Sequence, residues 1–130
     1  MPSVLVDTSV WVRFLANRDP YADALDHILA REQVYSHPMI YGELLMGDSG
    51  GRRQFLRDYQ EMSPASLVAH WEVVDFVNLR RLNGRGIGWI DVHLLASAIV
   101  DRLQLWTADA RLATVAEELG IAYSIPVQDQ

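Results

Sequence analysis

The apolar positions of this chain follow two rhythms: short uninterrupted runs, and longer stripes spaced three and four residues apart. Ser3–Val6 is a short run with two valines, the pattern of a parallel strand covered on both faces. It ends in Asp7-Thr8-Ser9, residue types that cap helices, and a helix is expected over Val10–Ala16. Asp19-Pro20 reads as an N-cap followed by proline at the first helical position, and Tyr21, Leu25, Ile28 and Leu29 then make one apolar stripe. Gln33–Ser36 reads as a strand. Pro38 opens a helix that closes near Gly47, and Gly51–Glu61 reads as a polar, Arg-rich helix. His70–Leu82 carries Glu72 and Asp75 early and Arg80 and Arg81 late, which complements a helix dipole. Asp91–Arg102 is almost wholly apolar and is expected to be a central helix. Leu103–Thr107 reads as a strand, Ala110–Leu119 as a helix stopped by Gly120, and Ile121–Ile125 as a last strand.

Strands separated by helices imply a parallel sheet covered on both sides. The expected fold is a three-layer α/β/α domain with a central parallel sheet of four or five strands. The breaks at Asn17–Pro20, Gly47–Gly51, Met62–Ser66 and Asn83–Gly88 are too short for interdomain linkers, so one domain is expected over residues 1–130, with a loose tail at Val127–Gln130. MPSVLVD has no cationic segment and its apolar run stops at Asp7, unlike a signal peptide. No apolar run approaches the ~20 residues of a membrane span. A soluble, cytoplasmic protein is expected.

Composition narrows the chemistry. All 11 cationic side chains are Arg; the chain has no Lys and no Cys. That removes Schiff-base lysine, P-loop lysine, thiol nucleophiles and cysteine zinc sites. With 17 acids the net charge is −6, which taken alone argues against a nucleic-acid partner.

The positions of the acids change that picture. In an open parallel sheet, ligands bind beyond the carboxyl ends of the strands. Asp7 directly follows the first expected strand, and Asp109 lies two residues beyond Thr107. At ~100° per helical residue, Asp91 falls within roughly 40° of Leu95 and Ala98, on the apolar face of its helix. Glu43, about 60° from Ile40, is expected to border a packed side. Alone, Asp7 and Asp109 read equally well as helix caps, Asp91 as a dipole-favoured first-turn residue and Glu43 as a surface charge. Together, with no Lys to neutralise them, four converging carboxylates call for a divalent cation; all-oxygen ligation favours Mg²⁺ or Mn²⁺.

Four segments carry a family resemblance. Val4-Leu5-Val6-Asp7-Thr8-Ser9-Val10-Trp11 resembles the opening motif of PIN-domain ribonucleases. Glu43-Leu44-Leu45-Met46-Gly47 is similar to their second acidic motif, Gly88–Ala98 to the third and Leu105–Asp109 to the fourth. Order, spacing and length resemble the VapC-like toxins of type II toxin–antitoxin modules. The resemblance implies an Mg²⁺- or Mn²⁺-dependent endoribonuclease, commonly a homodimer, held inactive by an antitoxin. It implies a catalytic and metal-binding set of Asp7, Glu43, Asp91 and Asp109, with Thr8, Ser9 and Thr107 supplying hydroxyls. Asp7 and Asp91 would be the main ligands of one metal. Many relatives carry a further acid and an aromatic where this chain has Arg111 and Leu112, which departs from a fully occupied second metal position.

RNA requires cations. Asn78–Ile90 contains Arg80, Arg81 and Arg85, no acid, and leads into Asp91; these arginines are candidates for RNA or antitoxin contact. Arg52, Arg53 and Arg57 form a second cluster. Of the four tryptophans, Trp106 reads as core, while Trp11 and Trp89, flanking acid motifs, read as pocket rims or partner contacts. The scattered histidines offer no acid–base pair. A haloacid-dehalogenase-like phosphatase would want an Asp where Ser9 stands, and both it and a receiver domain normally use a Lys. The remaining alternative is a catalytically inactive PIN-like scaffold that binds antitoxin or RNA.

Overall fold

The computed structural model describes residues 3–126, so the expected tail at 127–130 lies outside the described residues. The chain runs β1 (Val4–Val6), α1 (Thr8–Leu15), α2 (Tyr21–Ala30), β2 (Val34–Ser36), α3 (Pro38–Met46), α4 (Arg53–Gln60), β3 (Ser63–Pro64), α5 (His70–Arg80), α6 (Trp89–Asp101), β4 (Gln104–Trp106) and α7 (Ala110–Glu118). The four strands form an all-parallel sheet in the order β3-β2-β1-β4, flanked by helices in a three-layer α/β/α arrangement.

Every residue of β1 is fully buried, which explains its unbroken apolar run. Val4 pairs with Val34 on one side and Gln104 on the other. From β1 the chain crosses first to β2 and later returns to β4 on the opposite flank. The gap beyond the carboxyl ends of β1 and β4 is therefore the switch point of the sheet, where α/β folds bind ligands. In α6, Val92–Ala98 are all buried, as expected of a central helix.

Four local expectations are corrected. Ile121–Ile125 is not a strand: it makes one parallel bridge, Leu105 to Ala122, held by Leu105 N–H to Ile121 O at 2.7 Å and Tyr123 N–H to Leu105 O at 2.9 Å. Pro126, which has no N–H, soon follows and cannot extend such a ladder. Met62–Ser66, expected as a break, contains the edge strand β3, where proline is tolerated. Pro20 is the N-cap of α2 rather than its first helical residue, and the Asp19–Pro20 peptide is cis. Trp11 is no rim residue. It is fully buried, with its ring centroid 5.4–5.6 Å from those of Phe14, Phe55 and Tyr59. It lies on the inner face of α1, which packs against α2 and α3.

Candidate active site

Asp7 sits where β1 becomes α1. It is 6% exposed, and its N–H donates to Trp106 O at 2.8 Å, tying the turn to β4. Asp7 occupies the N-cap position, yet its side chain caps nothing. Its Oδ2 instead accepts from Ser9 Oγ at 2.6 Å and Thr107 Oγ1 at 2.9 Å. The same hydroxyl oxygens accept from Ala108 N–H at 2.9 Å and Asp109 N–H at 3.0 Å, respectively. Each hydroxyl has one proton, and Asp7 takes both. The 3.2 Å approach of Ser9 Oγ to Thr107 Oγ1 is then a contact without a shared proton. Two segments about 100 residues apart are thus joined around one carboxylate.

The other acids are also held by one oxygen each. Thr8 Oγ1 donates to Glu43 Oε1 at 2.7 Å, linking α1 to α3. Gly88 N–H donates to Asp91 Oδ2 at 2.9 Å, an acid at the third helical position reaching back to the start of α6. Asp109 does cap its helix: Oδ1 accepts from Arg111 N–H at 2.8 Å and Leu112 N–H at 3.2 Å. Among the described residues, the second oxygen of each of these four carboxylates accepts no side-chain or capping hydrogen bond. Glu43 is exposed, not at the border of packed helix as expected; its carboxylate is tied to α1 through Thr8, the residue after Asp7.

Asp91 feels the charges of the other three acids. The Asp91 carboxyl is pushed above the ordinary range, first by burial and then by the charges of Asp7, Asp109 and Glu43; the Gly88 hydrogen bond partly offsets this. Among the described residues, no three His, Asp or Glu side chains stand close enough to hold one ion by themselves. The donor chemistry nevertheless fits a hard divalent cation. Mg²⁺ keeps several waters and is commonly bound through one or two carboxylates, and each acid here keeps an oxygen free.

Glu43 depends on α3, and α3 starts from a buried histidine. His37 is 1% exposed. Its Nδ1 accepts from Met39 N–H at 3.1 Å, so the ring proton lies on Nε2 and donates to Ser97 Oγ at 3.0 Å. Its backbone N–H donates to Tyr59 Oη at 2.8 Å. Burial, then the neighbouring His93, push the His37 ring down to about 4. The neutral ring is a structural cap. The sequence offered Pro38 as a signal for this helix start, but none for its histidine.

Arg80, Arg81 and Arg85 are all exposed, and Arg85 pairs with Glu118. Trp89 remains accessible at 42%, stacked edge-on against His93 and near His70. Beside Thr8 and Glu43 opens a recess of about 450 Å³, walled in part by Val12, Leu44 and Phe55 and reached by Arg52.

Comparison with known proteins agrees with this architecture. The PIN domain family matches residues 4–118. Ribonuclease VapC32 of Mycobacterium tuberculosis, in strains CDC 1551 / Oshkosh and H37Rv, is 38% identical over 120 residues, covering 92% of this chain and 94% of the relative. A crystal structure of PAE2754 from Pyrobaculum aerophilum shares the fold at 17% identity, with a TM-score of 0.55 over 92% of this chain and 96% of that one.

Proposed function

The chain belongs to the PIN-domain family, and from that premise we propose that it is an endoribonuclease of the VapC kind, the toxin of a type II toxin–antitoxin module. One observation carries the catalytic reading: Asp7 and Asp109 beyond the strand ends, Asp91 feeling the charges of Asp7, Asp109 and Glu43, and each of the four carboxylates anchored through one oxygen with the other left free. No observation favours the inactive scaffold.

Asp7 and Asp91 would hold the divalent cation, Mg²⁺ or Mn²⁺. Ser9 and Thr107 keep the Asp7 carboxylate oriented, and Gly88 does the same for Asp91. Glu43 and Asp109 would hold coordinated waters through their free oxygens. When bound, the ion would orient and acidify a water for in-line attack on phosphorus and stabilise charge on the phosphate oxygens. Attack by water leaves 5′-phosphate and 3′-hydroxyl ends. The route asks nothing of the histidines, and the neutral, buried His37 is in no position to serve as a general acid.

Partners follow from the same surface. Arg80 and Arg81 would meet RNA phosphates or acidic antitoxin side chains. The antitoxin's covering segment would lie over the apolar recess beside Glu43, closing the site. A homodimer belongs to the same proposal, and Trp71, Leu79 and Met46, which are 73%, 80% and 85% exposed, are apolar side chains that its contact would cover. No helix among the described residues is long and apolar enough to cross a membrane; the proposed place of action is the cytoplasm, where an RNA-cleaving toxin would meet its substrate. The test is cleavage of total RNA by the purified chain with and without Mg²⁺. Loss of cleavage in Asp7→Asn and Asp91→Asn, with RNA binding retained, supports the reading. Equal cleavage in those variants overturns it.

A further inference from the structure

Arg111 stands two residues beyond Asp109, in the first turn of α7, and its N–H donates to the Asp109 carboxylate. Its side chain does not simply extend into water. It lies against Gly86, so closely that a Cβ there would stand 2.7 Å from Nη1 and 2.8 Å from Cδ. Gly86 has φ +81°, so this turn favours glycine twice: once for its backbone and once for the arginine laid on it. The loop holding Gly86 runs on to Gly88, whose N–H binds Asp91. Arg111 therefore bridges the two segments that carry Asp91 and Asp109.

Arg111 is exposed, and the sole ion pair among the described residues is that of Arg85 with Glu118. A counterion built to neutralise the acids would pair with one of them, and Arg111 does not. A guanidinium laid against Gly86 beside an acidic site, with no carboxylate partner, suits an incoming anion. Its planar fork matches phosphate oxygens. We propose that Arg111, positioned by Gly86, clamps an RNA phosphate flanking the scissile one. This rests on the ribonuclease reading above. RNA is favoured over an acidic peptide because a strand with its scissile phosphate at the carboxylates must carry its neighbouring phosphates past this edge.

The test uses a single-stranded RNA oligonucleotide and the variants Arg111→Ala, Arg111→Lys, Gly86→Ala and Gly84→Ala. Gly84, at φ +73° with nothing within 4 Å of an added Cβ, controls for backbone strain without disturbing the arginine. Cleavage kinetics give KM and kcat. Binding of the oligonucleotide, measured in an Asp91→Asn background, gives the salt dependence. Loss of one single-strand phosphate contact should flatten the slope of log affinity against log salt by about 0.7. Arg111→Ala should do so and raise KM about tenfold, with kcat changed far less. Gly86→Ala should reproduce both effects and Gly84→Ala neither; Arg111→Lys should keep most of the slope. An unchanged slope in Arg111→Ala, equal effects of the two glycine variants, or a loss of affinity only for an antitoxin peptide would each overturn the clamp. A wild-type chain that cleaves no RNA, yet loses slope on Arg111→Ala, would sink the catalytic reading and leave the phosphate contact standing.

Discussion

Acidification should unfold this protein through one buried imidazole. In the folded chain, His37 stays neutral down to about 4, because the ring is buried and His93 stands near it. In the unfolded chain it takes a proton near 6.5. Between those values the unfolded state binds more protons, so stability falls as pH falls through the window; above it His37 contributes no pH dependence. The linkage amounts to about 2 kcal/mol lost between pH 7 and pH 5, and about 3 kcal/mol by pH 4. Protonation also removes the acceptor that caps α3, so the region carrying Glu43 should loosen first. His93, also pushed down by burial, adds a loss of the same sign, while Asp91, pushed up, is relieved by acid and opposes it. The comparison that isolates His37 is His37→Gln, which does not titrate. Urea unfolding in EDTA at pH 7 and pH 5 measures both chains. The wild type should lose about 2 kcal/mol more than the variant over that interval. Equal losses in the two would refute the assignment of a neutral, capping His37.

Further outcomes follow from single contacts. Asp109 both caps α7 and belongs to the acid cluster; Asp109→Ala should cost about 1 kcal/mol in urea unfolding, whereas Asp109→Asn keeps the cap and should cost little, yet both should slow RNA cleavage. Thr107→Val removes a donor to Asp7 without changing shape, and should weaken divalent-ion affinity 10–100-fold, roughly, by calorimetry or Mn²⁺ electron paramagnetic resonance. Trp11→Ala empties a fully buried site between three aromatic rings and should cost about 3–5 kcal/mol in denaturant unfolding.

The parts legible in the sequence were those where local pattern and global burial agree. Val4–Val6 is wholly apolar because both of its faces are covered, and Val92–Ala98 is apolar but for His93 and Ser97 because that stretch of α6 is buried throughout. The acids at strand ends were legible because parallel-sheet topology itself makes those ends the binding edge. β3 was not, because Ser63-Pro64 reads as a turn and becomes a strand only through backbone pairing with β2. The choice between cap and pocket for Asp7 was closed to local reasoning too. Both roles place a carboxylate at the same turn, and it is the hydroxyl of Thr107, 100 residues on, with that of Ser9, that engages the carboxylate in place of the cap. Trp11 misled because adjacency to an acid along the chain says nothing about which face of α1 turns inward. The contact of Arg111 with Gly86 joins segments 25 residues apart, and no pattern announces it. The net charge of −6 misled for a related reason: it sums the surface without saying where its signs lie.

The central claim is that the four acids act through a divalent cation to hydrolyse RNA. Its most direct measurement is cleavage of a defined single-stranded RNA in EDTA and in Mg²⁺, with the product ends determined by phosphatase and ligase treatment. Cleavage should vanish in EDTA, return with Mg²⁺ or Mn²⁺, be lost in Asp91→Asn, and leave 5′-phosphate and 3′-hydroxyl ends. Cleavage that persists in EDTA and leaves 2′,3′-cyclic phosphate ends would contradict the account.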